Sequence, residues 1–254
     1  MLASERFSKI IEITNSQGFV STKDLSKTFN VSETTIRRDS EELEEQGLLI
    51  RVHGGVKSIK NKTILSTNDE TRMSARALIN FEAKDIVSKK AARFIRDGDC
   101  VFLDGGSSIA DIINYIGDKK VKIVTHSTLI ADKNIPENIE LFFIGGKYMP
   151  EYNMSVGPIT MNNLKMFNFD QAFISCAGID IFKKEVYTAE MDTTAIKQQA
   201  ISQSVKNYLL VDTSKFEVKG FCSFINSDDF DAVICNKDER IDEEEIPNNF
   251  IIVE

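Results

Sequence analysis

A run of small polar residues, Asp104-Gly105-Gly106-Ser107-Ser108, directly follows an apolar strand-like run and is predicted to open a helix. Glycines let backbone N–H groups face outward, serine hydroxyls add donors, and a helix N-terminus favours an anion. The predicted place, at the C-terminal end of a strand, is where open α/β sheets bind ligands. The pattern indicates a phosphate cradle, although a plain strand-to-helix connection uses the same residue types.

Further polar loops follow the other strand-like runs and offer hydroxyls, carboxylates and lysines suited to a polyol phosphate. The candidate residues are Thr125, His126, Ser127, Gly145, Gly146, Lys147, Gly178, Asp180 and Lys215, with Lys197 on a later helix. Lys215 is the strongest single cation among them. Each candidate has a structural alternative, since a lysine can face solvent, a carboxylate can complete a turn and a lone histidine can be a core residue.

The segment Val31–Asp39, VSETTIRRD, has the composition of the start of a DNA-recognition helix. Small hydroxyl residues can approach phosphates and base edges, and paired arginines can reach phosphates or guanine in the major groove. The candidate DNA contacts are Ser32, Thr34, Thr35, Arg37 and Arg38, with Ser21 before the preceding helix and Arg51 and His53 in a wing. Glutamates follow from Glu41 onward, so only the first turns suit DNA. The alternative is that the arginines pair with neighbouring glutamates along an exposed helix.

Residues 1–57 are predicted to form the domain that positions this helix. Apolar residues recur at helical spacing up to about Thr14, Ser21 and Ser32 are good N-caps for two further helices, and Gly47 ends the third. The run 48–52 is strand-like and enters a Gly-Gly turn that would form the wing. Residues 58–80 are polar without sustained periodicity, which predicts a linker.

Residues 81–254 are predicted to form a larger α/β domain. Seven short apolar runs read as strands: 101–103, 122–124, 141–144, 172–174, 208–211, 232–234 and 250–253. Helical stretches at 84–95, 107–116 and 190–205 separate some of them. Strands that are apolar on both faces and alternate with helices indicate a largely parallel sheet covered by helices.

Composition excludes several classes of protein. Basic and acidic residues balance over residues 1–60, so the net charge of −8 lies in the remainder and any DNA surface must be local. The four cysteines lack CxxC spacing, which favours reduced thiols in the cytoplasm over a zinc site. We expect no metal site and no cofactor. We also expect no membrane segment, because no apolar run approaches about 18 residues.

The span Arg6–Val56, with its VSETTIRRD and LLIRVHGGV segments, resembles the N-terminal signature of the DeoR family of bacterial regulators, and the resemblance continues through most of the second domain. It implies a winged helix-turn-helix repressor with a sugar-phosphate sensor related in fold to ribose-5-phosphate isomerase. The family commonly has Asp-Ala-Gly-Thr-Thr at residues 104–108, Asn where His126 stands, and an arginine near Met149.

The expected function is therefore repression of a carbohydrate operon, relieved by a phosphorylated sugar. The expected partners are double-stranded operator DNA, that sugar, and further copies of the chain as a dimer or tetramer, because paired half-sites usually imply at least a dimer. One alternative is an isomerase-like enzyme, although no motif singles out a base. The other is a regulator without a small-molecule effector.

Overall fold

The computed structural model describes residues 3–17, 19–52, 54–59, 65, 73–216, 218–237 and 246–254. The chain forms two compact units, and the boundary between their main bodies falls between Asn80 and Phe81. Each unit has a hydrophobic core of its own.

The first unit is a helix-turn-helix with a small antiparallel sheet. Its elements are α1 (Ala3–Gln17), β1 (Phe19–Ser21), α2 (Thr22–Phe29), α3 (Glu33–Glu45), β2 (Ile50–Val52), β3 (Gly55–Lys57) and α4 (Met73–Arg76). The strand order is β1-β3-β2. Ile10, Leu25, Ile36 and Leu43 are fully buried, so the three main helices pack around one core.

The expected helix ends are confirmed. The Ser21 and Ser32 side chains accept hydrogen bonds from the N–H groups three residues ahead, at 3.0 and 3.1 Å. Gly47 has a φ of 70° and lets Leu48 N–H reach the Leu43 carbonyl at 2.8 Å, which closes the end of α3. Strand β1 was not expected, and the run 48–52 is strand only from Ile50 onward.

The described residues of the expected linker 58–80 include regular structure. They contain the helical turn α4, where Met73 is buried. Leu65 itself belongs to the second unit, where it forms a parallel bridge with Gly220.

The second unit is built on a seven-stranded parallel sheet of order β15-β14-β12-β9-β4-β5-β6. These strands are β4 (Cys100–Leu103), β5 (Val121–Thr125), β6 (Ile139–Phe143), β9 (Phe169–Ser175), β12 (Ser204–Val211), β14 (Ala232–Asn236) and β15 (Phe250–Val253). The main helices are α5 (Phe81–Ala92), α6 (Thr128–Ala131), α7 (Pro158–Leu164) and α8 (Met191–Ser202). Small antiparallel sheets consist of β7 (Lys147–Met149) with β8 (Met154–Val156), and of β10 (Gly178–Asp180), β11 (Glu185–Thr188) and β13 (Cys222–Asn226).

All seven apolar runs expected as strands lie in the parallel sheet, which confirms the predicted fold class. The expectation that they are buried on both faces holds for the inner strands but is wrong for the two edges. β15 is half-buried throughout, and Phe143 on β6 is exposed. An edge strand has a neighbour on one side only and is therefore less covered.

The expected helix over 107–116 is wrong. Residues 107–111 form turns, and a short 3-10 helix follows at Ile112–Tyr115. Ile109 N–H bonds to the Gly106 carbonyl at 2.9 Å and Ile112 N–H bonds to the Ile109 carbonyl at 3.1 Å, a spacing of three residues. Glycines and β-branched residues lower helix propensity, and burial of the isoleucines fixes the tighter turns instead.

No helix among the described residues is both long and apolar enough to cross a bilayer. Within the same residues, no three histidine, cysteine, aspartate or glutamate side chains gather as metal ligands.

Candidate functional site: a DNA-reading helix and a buried sensor cluster

The N-terminal half of α3 presents the residues expected to read DNA. Thr34, Arg37 and Arg38 are exposed, while Ile36 on the opposite side is fully buried. Ser32 is occupied as the N-cap, and its hydroxyl lies 2.9 Å from that of Thr35. The exposed face of this half-helix therefore combines one free hydroxyl with two cations.

The two arginines differ in their surroundings. Arg37 lies 3.5 Å from Glu33 one turn earlier, but both side chains are about half exposed or more, so the pair is weak. Arg38 makes no ion pair with any described residue. Arg38 is therefore the cation whose charge is most available to a phosphate or a base edge.

A buried ion pair fixes the orientation of α3. The guanidinium of Arg6 on α1 donates through both Nε and Nη2 to the carboxylate of Asp39, at 2.5 and 3.0 Å. Both side chains are about nine-tenths buried. The bidentate geometry holds the residue next to Arg38 against α1, which leaves the exposed face of α3 in one defined direction.

The other expected DNA contacts lie in different settings. Arg51 bonds to Glu41 at 3.1 Å and lies 3.9 Å from Glu44, so two carboxylates of the C-terminal half of α3 offset its charge. Ser21 caps α2 and donates to Asp24. His53 lies outside the described residues.

In the second unit, the carboxylate of Asp104 is the centre of a buried polar cluster at the C-terminal end of β4. One oxygen accepts from the backbone N–H and hydroxyl of Ser175 at the end of β9, and from the Lys197 ammonium on α8. The other oxygen lies 3.3 Å from Nε2 of His126 after β5. Lys197 also donates to the Ser175 carbonyl at 3.0 Å.

The cluster contains two opposite charges, those of Asp104 and Lys197, and both side chains are buried. Burial alone would raise the pKa of Asp104, but the positive charge of Lys197 outweighs it and, together with the contact to His126, holds the pKa well below its usual range. Asp104 is therefore an ionised carboxylate matched by an ammonium. Lys197 is buried, so the alternative that it faces solvent is wrong.

The residues after β5 are largely internal. The Thr125 hydroxyl donates to the Leu103 carbonyl at 2.7 Å and accepts from Ser127 N–H at 3.1 Å. His126 is fully buried, and its Nδ1 lies 2.7 Å from the Ser155 carbonyl. The buried Ser127 hydroxyl has no hydrogen-bond partner among the described residues.

The loop that follows Asp104 has unused donors. The backbone N–H groups of Gly105, Gly106, Ser107 and Ser108, and the hydroxyls of both serines, make no hydrogen bond to a described residue. Buried backbone donors are normally paired. The helix N-terminus expected here is absent, so the cradle is a turn of consecutive N–H groups rather than a helix end.

Close packing explains the glycines in these loops. A Cβ on Gly106 would lie 2.2 Å from Cβ of Ser175, and a Cβ on Gly146 would lie 2.0 Å from the Thr160 hydroxyl. A Cβ on Gly178 would lie 1.9 Å from the Val218 carbonyl oxygen. These glycines are required by neighbouring atoms, whereas Gly145 has open space on its Cβ side.

The remaining candidate side chains differ in whether a described residue already pairs with their charge. Lys215, in the 3-10 helix after β12, is half-buried and makes no ion pair with a described residue. Lys147 is exposed and lies 4.0 Å from Asp192. One carboxylate oxygen of Asp180 accepts from the N–H groups of Phe182 and Lys183, so it completes the hairpin turn after β10.

Comparison with protein families agrees with this division of the chain. Residues 6–62 match the DeoR-like helix-turn-helix domain, and residues 79–237 match the DeoR C terminal sensor domain. The chain belongs to the DeoR family. This DeoR-family protein is a transcription regulator and not an enzyme.

Two relatives that the chain matches over most of their length are a repressor and a transcriptional regulator. The chain is 30% identical to the lactose phosphotransferase system repressor of Lactococcus lactis subsp. lactis, over 85% of this chain and 84% of the relative. It is 29% identical to the HTH-type transcriptional regulator YulB of Bacillus subtilis, over 92% of this chain and 89% of the relative. Among solved structures, it is similar to ribose 5-phosphate isomerase A of Methanocaldococcus jannaschii with a TM-score of 0.39 and 20% identity, covering 54% and 55% of the two chains.

Sequence reasoning on this DeoR-family regulator missed three residues. Ser175 ends a strand at the same sheet edge as Asp104, so the rule that selected Asp104 would also have selected it. Arg6 lies four residues before Ile10, and Asp39 lies three after Ile36, so each charge falls on a buried helical stripe. A charged residue on each of two buried stripes is a signal for an internal ion pair.

Proposed function

We propose that this DeoR-family regulator represses a carbohydrate operon and releases its operator DNA when a phosphorylated sugar binds at the C-terminal edge of the parallel sheet. The observation that carries the proposal is the loop Gly105–Ser108, with four consecutive N–H groups and two hydroxyls that lack partners among the described residues. A phosphate supplies the acceptors that this loop lacks. The Lactococcus relative is a lactose phosphotransferase system repressor, which supports the choice of a sugar.

The charges of the site indicate which cation meets the phosphate. Lys197 is matched by Asp104 inside the cluster, and Lys147 lies beside Asp192. Lys215 follows β12 at the same edge of the sheet and has no acidic partner among the described residues. We assign Lys215 to the effector phosphate, with Asp104 and Lys197 as the internal support of the cradle.

The DNA-reading half of the proposal rests on α3. Arg38 and Thr34 are exposed and unpaired among the described residues, so we assign them to base edges or phosphates, with Arg37 and the wing beside them. Binding to paired half-sites requires a homo-oligomer, a dimer or a tetramer.

A thermal-shift panel tests the effector. Ribose 5-phosphate, fructose 1-phosphate, fructose 6-phosphate and glucose 6-phosphate are compared with the unphosphorylated sugars. A ligand at about 100 times its Kd stabilises the folded unit by about 2.7 kcal/mol. In a unit of this size that raises Tm by roughly 5–11 °C.

A pair of matched variants ties the response to the site. Lys215→Met should weaken binding by about 10- to 150-fold, because a charge-assisted hydrogen bond contributes about 1.5–3 kcal/mol. Lys219→Met changes an exposed lysine four residues away and should bind like the natural chain. If no phosphorylated sugar stabilises the protein, the proposed effector is wrong. If both variants bind the sugar phosphate equally well, Lys215 is not part of the site.

A further inference from the structure

The ring of His126 lies between two hydrogen-bond acceptors. Its Nδ1 is 2.7 Å from the Ser155 carbonyl oxygen on β8, and its Nε2 is 3.3 Å from a carboxylate oxygen of Asp104. A neutral imidazole has one N–H and one lone pair, whereas an imidazolium has two N–H groups. Only the imidazolium can donate to both partners at once.

The neutral ring has one tautomer that fits this position. A carbonyl oxygen can only accept, so the short contact to Ser155 places the hydrogen on Nδ1. The lone pair of Nε2 then faces the Asp104 carboxylate. Asp104 does not supply a proton itself, because the ammonium of Lys197 and the two donors of Ser175 stabilise it as a carboxylate. The neutral ring therefore makes no hydrogen bond to Asp104, and a proton on Nε2 would allow one to form.

The charged groups around the ring do not by themselves stabilise a proton on Nε2. Asp104 on β4 faces the ring, and Lys197 on α8 binds the same carboxylate, so their charges cancel. The other contacts of the ring are uncharged, namely the Ser155 carbonyl and the stacked ring of Phe102 at a centroid distance of 6.0 Å. An imidazolium would add an uncompensated positive charge in a site shielded from water.

An anion in the adjoining loop would compensate that charge. A Cβ built on Gly105 would lie 3.5 Å from Nε2 of His126, so the loop with the unpartnered N–H groups lies directly against the ring. An anion bound by Gly105–Ser108 and a proton on His126 would therefore attract each other across a few ångströms in a low-dielectric setting.

We propose that His126 takes up a proton when an anionic effector binds, so that the sensor binds a phosphate-like dianion and a proton together. The inference rests on the proposed effector site at Gly105–Ser108. Histidine is the ordinary side chain that changes charge between pH 5 and 8. Binding is accordingly tighter at lower pH, and uptake of one proton changes Kd by at most about tenfold per pH unit.

Nitrogen NMR of the histidine rings reads this proton directly. The chain contains only two histidines, so the His53→Asn variant leaves His126 as the single signal. Sulfate is the probe, because it remains a dianion between pH 5 and 8 and does not titrate itself. At the alkaline end of that range, His126 should be a neutral Nδ1–H ring in the free protein and an imidazolium in sulfate.

A matched variant removes the proton without removing the donor to Ser155. In His126→Asn the amide can still donate to that carbonyl, but it cannot change charge. Sulfate affinity should then be independent of pH, while in the chain with His126 it should rise as pH falls. The amide signals of Ser107 and Ser108 report whether sulfate occupies the loop.

Three results would overturn the inference. If sulfate shifts the loop amides while His126 stays neutral, proton uptake is wrong and the effector site stands. If His126 is already an imidazolium without sulfate, no proton is taken up. If neither sulfate nor any sugar phosphate of the panel shifts the loop amides, the effector site and the inference both fail.

Discussion

Replacement of Lys197 by methionine tests the buried cluster that supports the sensor site. The variant leaves the Asp104 carboxylate without its ammonium in a position that solvent does not reach. Breaking a buried pair by removing one partner costs about 3–5 kcal/mol. The two donors of Ser175 remain on the carboxylate, so we expect the lower end, about 3 kcal/mol, and a fall in Tm of roughly 6–12 °C.

The double variant Asp104→Asn with Lys197→Met separates the pair from its members. Each single change leaves one unmatched charge, whereas the double change leaves none. The double variant should therefore lose less free energy of unfolding than the two single variants lose together, by about 2–3 kcal/mol. The control is Lys184→Met, which removes an ion pair to Asp228 whose side chains are about half exposed and should cost about 0–1 kcal/mol.

Urea unfolding followed by tyrosine fluorescence gives these free energies for the second unit alone. The chain has no tryptophan, and all five tyrosines lie beyond residue 81. The pKa of Asp104 is lowered in the folded chain, so its contribution is present above the ordinary aspartate pKa of about 3.9 and is lost as pH falls. The difference in free energy of unfolding between the natural chain and Lys197→Met should therefore narrow as pH falls below about 4. A single-variant cost below about 1 kcal/mol, or strictly additive costs, would refute the reasoning.

Three further changes give sharp expectations. Arg38→Ala should weaken DNA binding by about 1–3 kcal/mol in a fluorescence-anisotropy titration. The control Arg93→Ala, which changes an exposed arginine of the second unit, should bind DNA like the natural chain. Equal DNA affinities of the two variants would remove α3 from the interface. Gly106→Ala should lower the free energy of unfolding by about 1–3 kcal/mol, because its Cβ meets the side chain at the end of β9. Gly105→Ala should cost less, because its Cβ comes closest to the flexible end of a methionine and reaches Nε2 of His126 only at an ordinary contact distance of 3.5 Å. Reversal of that order in urea unfolding would contradict the packing described. Ser32→Ala should cost about 1 kcal/mol through loss of the α3 N-cap, and a stability unchanged in thermal unfolding followed by circular dichroism would contradict the cap.

The parallel sheet could be predicted from sequence because its inner strands are buried on both faces. Runs such as 101–103 and 172–174 therefore read as unbroken apolar segments. The five strands of the two small sheets in this unit are three to five residues long and mix polar with apolar residues. No periodicity extends far enough in them to distinguish a strand from a loop.

The site was predictable to the extent that topology alone defines it. Parallel strands place their C-terminal ends at one edge, so Asp104 and His126 could be assigned to one location. The direction of a helical side chain depends on what packs against the helix, and for this reason Lys197 could be expected in solvent as readily as beside Asp104. The turns after Gly106 could not be anticipated, because burial of several isoleucines overrides the helical spacing.

Operator affinity with and without effector tests the central claim most directly. Double-stranded DNA selected from a random library by the purified protein is labelled and titrated, in parallel with and without the sugar phosphate that gives the largest thermal shift. The proposed coupling predicts that saturating sugar phosphate weakens DNA binding by about 5- to 150-fold, and that DNA weakens sugar-phosphate binding by the same factor. Unchanged operator affinity in the presence of a sugar phosphate that demonstrably binds would contradict the account.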